Sequence, residues 1–270
     1  MANFNVTNFE QCAHQEENTY WYAHDFMVLL GYETWNSFKG VINKSIASCA
    51  NLEIDIQENF IPCEMLYEEK IVKSYKLTRF ACFLVTMHAD SKKEEVSKAK
   101  TVFAAVADKL IQNQIDSNEI QRLEVRKKLA DSESMMSAVA VNAGLESKQL
   151  GIFKDAGFRG MYNMSLQDLK AFKRIPNDKK TLYDFMGNTE LAGNWFRVTQ
   201  TAEKIKNHNV QGLHNLTRTA REVGSDVRQM MIQNSGIAPE NLELEKDIKD
   251  VKKALKGANK QMIKHDKQKK

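Results

Sequence analysis

Residues 186–208 read MGNTELAGNWFRVTQTAEKIKNH, a stretch that predicts a long helix with two different faces. Its apolar residues recur three and four positions apart, which is typical of the buried side of a helix. They are Leu191, Trp195, Val198, Ala202 and Ile205. We expect Asn188 to cap the first turn. The other face predicts one continuous stripe of hydrogen-bonding groups, formed by Glu190, Asn194, Arg197, Thr201, Lys204 and His208.

The next predicted helix, residues 213–234, aligns guanidinium groups along one side. The aligned residues are Arg218, Arg221, Ser225 and Arg228. Arginine is the side chain best suited to bidentate phosphate contacts, so two such stripes in adjacent helices would form a phosphate-binding surface. The alternative is that Glu190, Glu222 and Asp226 pair with these cations in ordinary salt bridges.

The composition favours a helical protein with a buried core. The chain has 270 residues, is 42% hydrophobic, and contains only 12 Gly and 3 Pro, so few residues interrupt long helices. It has no apolar run of about 18 residues and no basic, hydrophobic leader, so we expect a cytosolic protein without a membrane span. No C-x-x-C pair occurs, which predicts four buried free thiols: Cys12, Cys49, Cys63 and Cys82.

The net charge of +4 hides an uneven distribution along the chain. Residues 1–60 hold 2 Lys/Arg against 8 Asp/Glu, residues 121–180 hold 12 against 7, and residues 241–270 hold 10 against 5. If phosphate is bound, the middle and the tail therefore supply most of the attraction. Further candidate phosphate contacts lie in a basic turn and comprise Lys173, Arg174, Lys179 and Lys180. The basic tail, residues 264–270, would add non-specific affinity.

The first part of the sequence predicts two hairpins and a helix pair. Residues 3–9 with 18–22 form one expected hairpin, and residues 60–67 with 71–77 form the other. A short helix ending at Gly31 precedes a helix that Thr34 can cap, a connection of helix-turn-helix length. The exposed side of the second helix would reach base edges or phosphates through Asn36, Lys39 and Asn43, although an ordinary solvated helix corner has the same pattern.

We expect four segments: a DNA-binding domain at 1–112, a connecting helix at 113–145, a helical domain at 146–237, and a basic amphipathic helix with its tail at 238–270. Gly157 and Gly160 suggest a loop within residues 151–162. Pro239 is expected to open the last helix, whose narrow apolar seam predicts docking onto another helix, such as one of a second copy of the chain. The predicted oligomerisation residues are Leu244, Ile248, Val251, Leu255, Ala258 and Met262.

Catalytic motifs are absent from the sequence. It contains no G-x-x-x-x-G-K-[ST], G-x-G-x-x-G, G-x-S-x-G or H-E-x-x-H, and its six histidines are scattered. We therefore expect a non-enzymatic protein with no catalytic residue, no metal and no cofactor. A nuclease site built without a sequence motif is the remaining alternative.

The sequence resembles the bacterial DNA-damage-inducible protein D (DinD) family, whose N-terminal part is a BRO-N domain related to the KilA-N modules of viruses and phages. The resemblance covers about residues 18–234 and departs from the family pattern at Asn188, where a small hydroxyl residue is expected. The residues that carry it are Tyr20–Ala23, Leu29–Tyr32, Thr78–Val85, Ile152–Phe153, Gly157–Tyr162, Met186–Ala192, Asn194, Phe196–Arg197 and Thr199–Thr201.

The resemblance implies a cytoplasmic bacterial protein of the DNA-damage (SOS) response, with a DNA-binding N-terminal module and no established active site. The fold class expected is α+β and mostly helical: a small BRO-N domain, then an all-α domain and a C-terminal amphipathic helix. The leading hypothesis is a non-enzymatic DNA-binding accessory or regulatory protein of repair or recombination, with single- and double-stranded DNA both open. The alternative is a protein-interaction factor acting on a recombination filament or phage component without binding DNA.

Overall fold

The computed structural model describes residues 4–16, 18–111, 117–175 and 180–268. The chain forms two compact units, one of Met1–Ile120 with Lys249–Lys270 and one of Gln121–Ile248. Most described residues are helical and one small antiparallel sheet is present, which confirms the predicted mostly helical α+β class.

Among the described residues of the first unit, six helices and four short strands precede the C-terminal helix. The helices are α1 (Val6–Gln11), α2 (Ala23–Leu29), α3 (Trp35–Leu52), α4 (Ile56–Asn59), α5 (Arg79–His88), α6 (Glu94–Ile111) and, from Lys249 onward, α12 (Ile248–Gln268). The strands are β1 (His14–Gln15), β2 (Thr19–Tyr22), β3 (Phe60–Tyr67) and β4 (Lys70–Leu77), hydrogen-bonded in the order β1-β2-β4-β3.

The hairpin of β3 and β4 confirms the second predicted hairpin. Its register runs from Phe60 opposite Leu77 to Tyr67 opposite Lys70, so only two residues form the turn. These residues, Glu68 and Glu69, have φ values of 46° and 63°. Positive φ at both positions matches the twist of the flanking strands and sets the register of the hairpin.

The first predicted hairpin is wrong in its first half, because α1 occupies most of the segment predicted as a strand. Asn5 caps this helix, and its Oδ1 accepts a hydrogen bond from the Asn8 amide at 2.8 Å. Phe9 on the helix is buried, and its ring stacks on Trp21 of β2 with centroids 4.4 Å apart. The side-chain cap and this aromatic contact favour a helical turn over extended backbone.

Helices α2 and α3 confirm the predicted helix pair. Gly31 takes a φ of +71° at the end of α2, a conformation that L side chains rarely adopt. Thr34 caps α3 by accepting a hydrogen bond from the Ser37 amide at 3.4 Å. Phe38 and Ile42 on the inner side of α3 are fully buried. The buried face fixes which side of α3 remains exposed.

The predicted oligomerisation seam is covered within the chain. Val251, Leu255, Ala258 and Met262 of α12 are buried, as is Ile248, while Leu244 lies before the helix and is 36% exposed. Polar contacts fix α12 within the first unit: Lys252 and Lys256 each lie 2.8 Å from a carboxylate oxygen of Glu53, and the buried Asp266 pairs with Arg79. The expectation of a seam left open for a second copy is therefore wrong, because the chain itself covers these apolar side chains.

The second unit contains five helices among its described residues. They are α7 (Ser117–Asn142, from Gln121), α8 (Leu150–Tyr162), α9 (Leu166–Phe172), α10 (Asn188–Asn207) and α11 (Leu213–Ser235). Short 3₁₀ turns occupy Ser147–Gln149, Leu182–Phe185 and Pro239–Asn241, so Pro239 opens a turn and not the last helix. Gly187, not Asn188, is the N-cap of α10.

The expected connecting helix at 113–145 and the expected C-terminal segment at 238–270 do not form separate bodies. From Gln121 onward, α7 belongs to the second unit, and from Lys249 onward, α12 belongs to the first. Arg122 gives a physical reason for the first difference. Its guanidinium is fully buried and donates hydrogen bonds to the backbone oxygens of Met186 and Lys246, so the start of α7 cannot be a solvent-exposed connector.

Three glycines let α8 and α11 pack backbone against backbone. A Cβ at Gly160 would overlap the Arg221 carbonyl oxygen, and a Cβ at Gly224 would lie 2.5 Å from the Gly157 carbonyl oxygen. Residues 151–162, predicted as a loop, therefore form a helix with its glycines at the helix contact. Here small size, and not backbone flexibility, is the property that glycine supplies.

We predict that Gly160→Ala lowers the free energy of unfolding by about 1–3 kcal/mol, because the added methyl must displace backbone atoms of α11. Gly151→Ala in the same helix is the matched control: its Cβ would meet nothing within 4 Å, and alanine favours a helix by about 0.5–1 kcal/mol. Urea unfolding followed by circular dichroism measures both. Equal effects of the two variants would contradict the proposed helix contact.

We predict that Leu255→Ala destabilises the protein by about 2–5 kcal/mol without changing its molar mass, because Leu255 is fully buried. The partly exposed Leu244 is the control, and Leu244→Ala should change stability by less than about 1 kcal/mol. Urea unfolding and light scattering give the two readouts. A lower molar mass for Leu255→Ala at unchanged stability would restore the oligomerisation seam.

Candidate nucleic-acid interface

The predicted polar stripe of α10 lies mostly in the interior of the second unit. Glu190, Asn194, Arg197 and Thr201 are at most 2% exposed, as buried as the apolar residues Leu191 and Val198. The interpretation of this stripe as an exposed DNA-contacting surface is therefore wrong. Periodicity identified both faces of α10, but it could not show that neighbouring elements cover the polar face as well.

Glu190 begins a chain of buried hydrogen bonds. Lys173 Nζ lies 3.0 Å from Glu190 Oε2, and Tyr162 Oη donates to Glu190 Oε1 at 3.0 Å. Asn194 Nδ2 in turn donates to Tyr162 Oη at 2.6 Å. Burial raises the pKa of the Glu190 carboxyl above its usual range, while the adjacent Lys173 ammonium opposes that rise. These partners satisfy groups that would otherwise be costly to bury.

Arg197 extends the same network. Its Nη2 donates to Asn194 Oδ1 at 3.1 Å and to Tyr183 Oη at 3.2 Å, and its guanidinium lies 5.0 Å from the centre of the Phe158 ring. A Cβ at Gly157 would collide with this guanidinium, so the glycine provides the space that Arg197 occupies. Arg197 therefore supports the packing of α8, α10 and α11.

Acidic side chains occupy most of the other predicted phosphate contacts of the second unit. Lys180 lies 2.9 Å from Asp247, Lys204 lies 3.0 Å from Glu222, and Arg218 lies 3.8 Å from the same Glu222. Arg228 donates to Glu240 at 2.7 Å and to the Met161 carbonyl oxygen at 3.0 Å, while the buried Lys173 also donates to the Leu242 carbonyl oxygen. This arrangement confirms the salt-bridge alternative for Glu222, whereas Glu190 pairs with Lys173, a cation outside the two stripes.

Two exposed cations that the sequence predicted in the second unit lack an ion pair among the described residues, but they do not form a continuous stripe. Arg174 follows α9, and Arg221 lies on α11. Neither guanidinium forms an ion pair within the described residues. Lys179 lies outside the described residues. The expected convergence of two basic stripes into a shared phosphate-binding surface is thus not what the structure contains.

The outer face of α3 keeps the arrangement that the sequence predicts. Asn36, Lys39 and Asn43 are all exposed, and none of these side chains has a hydrogen-bond or ion-pair partner in the described part of the chain. Gly40 lies between them, and a Cβ there would meet nothing within 4 Å. Lys44, which the sequence analysis did not select, is exposed beside Asn43. Donor and acceptor groups thus line an open helix face.

A second set of cations in the first unit lies on the outer face of α12. These exposed lysines, Lys253, Lys260, Lys264 and Lys267, are spaced by seven, four and three residues. Lys252 and Lys256 on the inner side hold Glu53 at the C-terminal end of α3, and their two hydrogen bonds lower the pKa of Glu53 to about 2. The sequence predicted a basic amphipathic helix here and assigned non-specific affinity to residues 264–270, but it did not single out Lys253 or Lys260.

Among the described residues, no group of three or more His, Cys, Asp or Glu side chains is placed to hold a metal ion. No described helix combines the length and apolar character needed to cross a membrane. Of the predicted buried thiols, Cys49 and Cys82 are buried, and Cys12 and Cys63 are half-buried. Burial raises the pKa of Cys49 to about 12, which leaves it protonated and unreactive near neutral pH.

Comparison with known proteins indicates the same family as the resemblance of the sequence. Residues 115–251 match the family model described as the DinD C-terminal domain. Over 237 residues, the chain is 31% identical to DNA damage-inducible protein D of Escherichia coli (strain K12). This alignment covers 82% of the present chain and 85% of that protein.

We predict that Lys173→Met lowers the free energy of unfolding by about 3–5 kcal/mol, because it leaves the Glu190 carboxylate buried without its partner. The double variant Lys173→Met with Glu190→Gln should recover much of this loss. Lys204→Met breaks a partly exposed pair and should cost at most about 1 kcal/mol. Denaturant unfolding measures all three, and a Lys173→Met protein as stable as Lys204→Met would contradict the buried network.

Proposed function

Because the chain belongs to the DNA damage-inducible protein D family, we propose that it serves the bacterial response to DNA damage as a non-enzymatic DNA-binding accessory or regulatory protein of repair or recombination. The observation that carries the DNA-binding part is the exposed outer face of α3, with Asn36, Lys39 and Asn43. The BRO-N character of the first unit stays a prediction.

The chemistry of α3 suits a DNA groove. Asparagine amides can donate to and accept from base edges, and an ammonium group can reach guanine acceptors or a phosphate. The helix is 18 residues long, about 27 Å, and the major groove is wide enough to admit a helix. Gly40 lets the backbone of α3 approach a partner closely. The short connection from α2 resembles that of helix-turn-helix modules, in which the second helix reads the groove.

Sequence-independent attraction would come from α12 in the same unit. Its exposed lysines can neutralise phosphates and release counterions from DNA, which makes affinity depend strongly on salt. This contribution matters because the first 60 residues of the same unit contain more acidic than basic side chains. In this proposal α3 supplies base or groove contacts, and α12 supplies contacts to the backbone.

The ion-paired arginines of α11 take no part in this binding. Arg228 is held by Glu240, and Arg218 shares Glu222 with Lys204. Recruiting these cations to DNA would require breaking pairs that already exist in the second unit. The proposal therefore assigns the DNA contact to the first unit alone.

We predict that Lys39→Glu combined with Asn43→Ala lowers DNA affinity at least about tenfold, equivalent to about 1.4 kcal/mol, because it removes a cation and an amide and adds a repelling carboxylate. The matched control is Arg218→Glu with Arg221→Glu, two exposed residues of α11. This variant should change DNA affinity by less than about twofold, or ~0.4 kcal/mol. Fluorescence anisotropy with labelled single-stranded, double-stranded and branched DNA at two salt concentrations gives the comparison.

Two results would contradict this proposal. Equal loss in the α3 and α11 variants would remove α3 as the contacting element. Absence of binding by the wild-type protein at low salt, for all three forms of DNA, would reject DNA binding itself. That second result would leave the alternative of a protein-interaction factor acting on a recombination filament or phage component.

A further inference from the structure

A groove on the second unit lies between α8, α9 and the turn that follows α9. It has a volume of about 800 Å³. Its apolar lining includes Leu166 and Ile175, and its cations are Lys154, Lys170 and Arg174. This volume is within the range that accommodates a bound ligand or a few side chains of a partner. None of these cations belongs to the DNA-contacting surface proposed above.

Among the described residues that line the groove are three cations and a single carboxylate, Asp155. Asp155 Oδ1 accepts a hydrogen bond from the Leu166 amide at 2.7 Å, and Asp155 Oδ2 accepts from Arg159 Nε at 2.7 Å. The carboxylate thus joins α8 to the start of α9 and is occupied by these two donors. In the described part of the unit, Lys154 and Arg174 form no ion pair. The groove therefore carries positive charge that an external anion can neutralise.

Two large apolar side chains on the helices that border the groove are exposed, although neither is part of its lining. Ile152 on α8 is 59% exposed and Phe172 on α9 is 52% exposed. Exposed apolar groups next to a concave surface are typical of sites that bind another protein. A nucleic-acid backbone would neutralise the cations but would leave the aliphatic lining unused. The combination thus favours a protein ligand over a polyphosphate.

We propose that this groove binds a short acidic segment of a partner protein. One large apolar side chain of the segment enters the groove against Leu166 and Ile175, and flanking carboxylates pair with Lys154 and Arg174. Arg174 can hold a carboxylate through two parallel hydrogen bonds, so the contact has a defined geometry in addition to its charge attraction. Ile152 and Phe172 cover the remainder of the segment. The site is independent of DNA binding by α3.

The test is a selection from a bead-displayed library of 12-residue peptides, randomised equally among acidic, basic, neutral polar and large apolar residues. We expect the full-length protein to enrich peptides that combine net negative charge with at least one Ile, Leu or Phe. The affinity for the best labelled peptide, measured by fluorescence anisotropy, should fall at least tenfold for Lys154→Glu with Arg174→Glu. Gly151→Leu should weaken it as well, since a side chain there meets nothing within 4 Å and would enter the groove.

The matched control is Lys127→Glu with Lys206→Glu, two exposed lysines of the same unit outside this groove, which should leave peptide affinity unchanged. Replacing the apolar residues of the best peptide by Ser should abolish binding. Enrichment without acidic bias, equal loss in the control variant, or tighter binding of a 12-nucleotide single strand sensitive to Lys154 and Arg174 would each overturn the proposal. The Lys39 and Asn43 variant should bind the peptide normally, so this result is separable from that for DNA.

Discussion

The close contact of α8 with α11 is the constraint on which the second unit depends. At Gly160 and Gly224 the two helices approach so closely that a side chain on either would collide with the opposite backbone. Gly157 leaves room for the guanidinium of Arg197 from α10. Three helices therefore meet where glycine is the only residue that fits. Any larger residue would separate the helices and expose the polar groups between them.

This contact explains why a row of polar residues can lie in the interior. Glu190, Asn194 and Arg197 find their partners in Tyr162, Lys173 and Tyr183, side chains brought close by the same helix packing. Buried ion pairs add little net stability, because the cost of desolvation offsets most of their attraction. They do penalise any arrangement that leaves one partner alone, so the network favours a single packing of α10 against its neighbours.

Because the polar side chains of α10 are buried in this packing, the surfaces available for binding lie elsewhere. In the first unit, α3 presents amides and a lysine, and α12 presents lysines on its outer side while its apolar side is covered. In the second unit, the groove at α8 and α9 combines cations with aliphatic groups. With the two proposed binding surfaces, the chain would connect DNA to an acidic partner.

Local sequence patterns were sufficient to predict the helical class, the β3–β4 hairpin, the α2–α3 pair and the polar outer face of α3. Each of these depends on local signals: periodicity, capping residues and turn residues lie within a few positions of one another. The family resemblance, confirmed by comparison, also rests on short stretches of sequence. These local patterns did not predict the structure of residues 4–9. There the ring of Phe9 stacks on that of Trp21, and a helix forms in place of the expected strand.

Which polar stripes are accessible depends on the tertiary structure. Spacing places Arg197 and Lys39 on helix faces equally well, but Arg197 is covered by Phe158 and Tyr183 from other elements, and Lys39 is not. The apolar seam of α12 likewise has the same spacing whether a second copy or the chain itself covers it. Burial depends on residues distant in sequence, and periodicity carries no information about which of them come together.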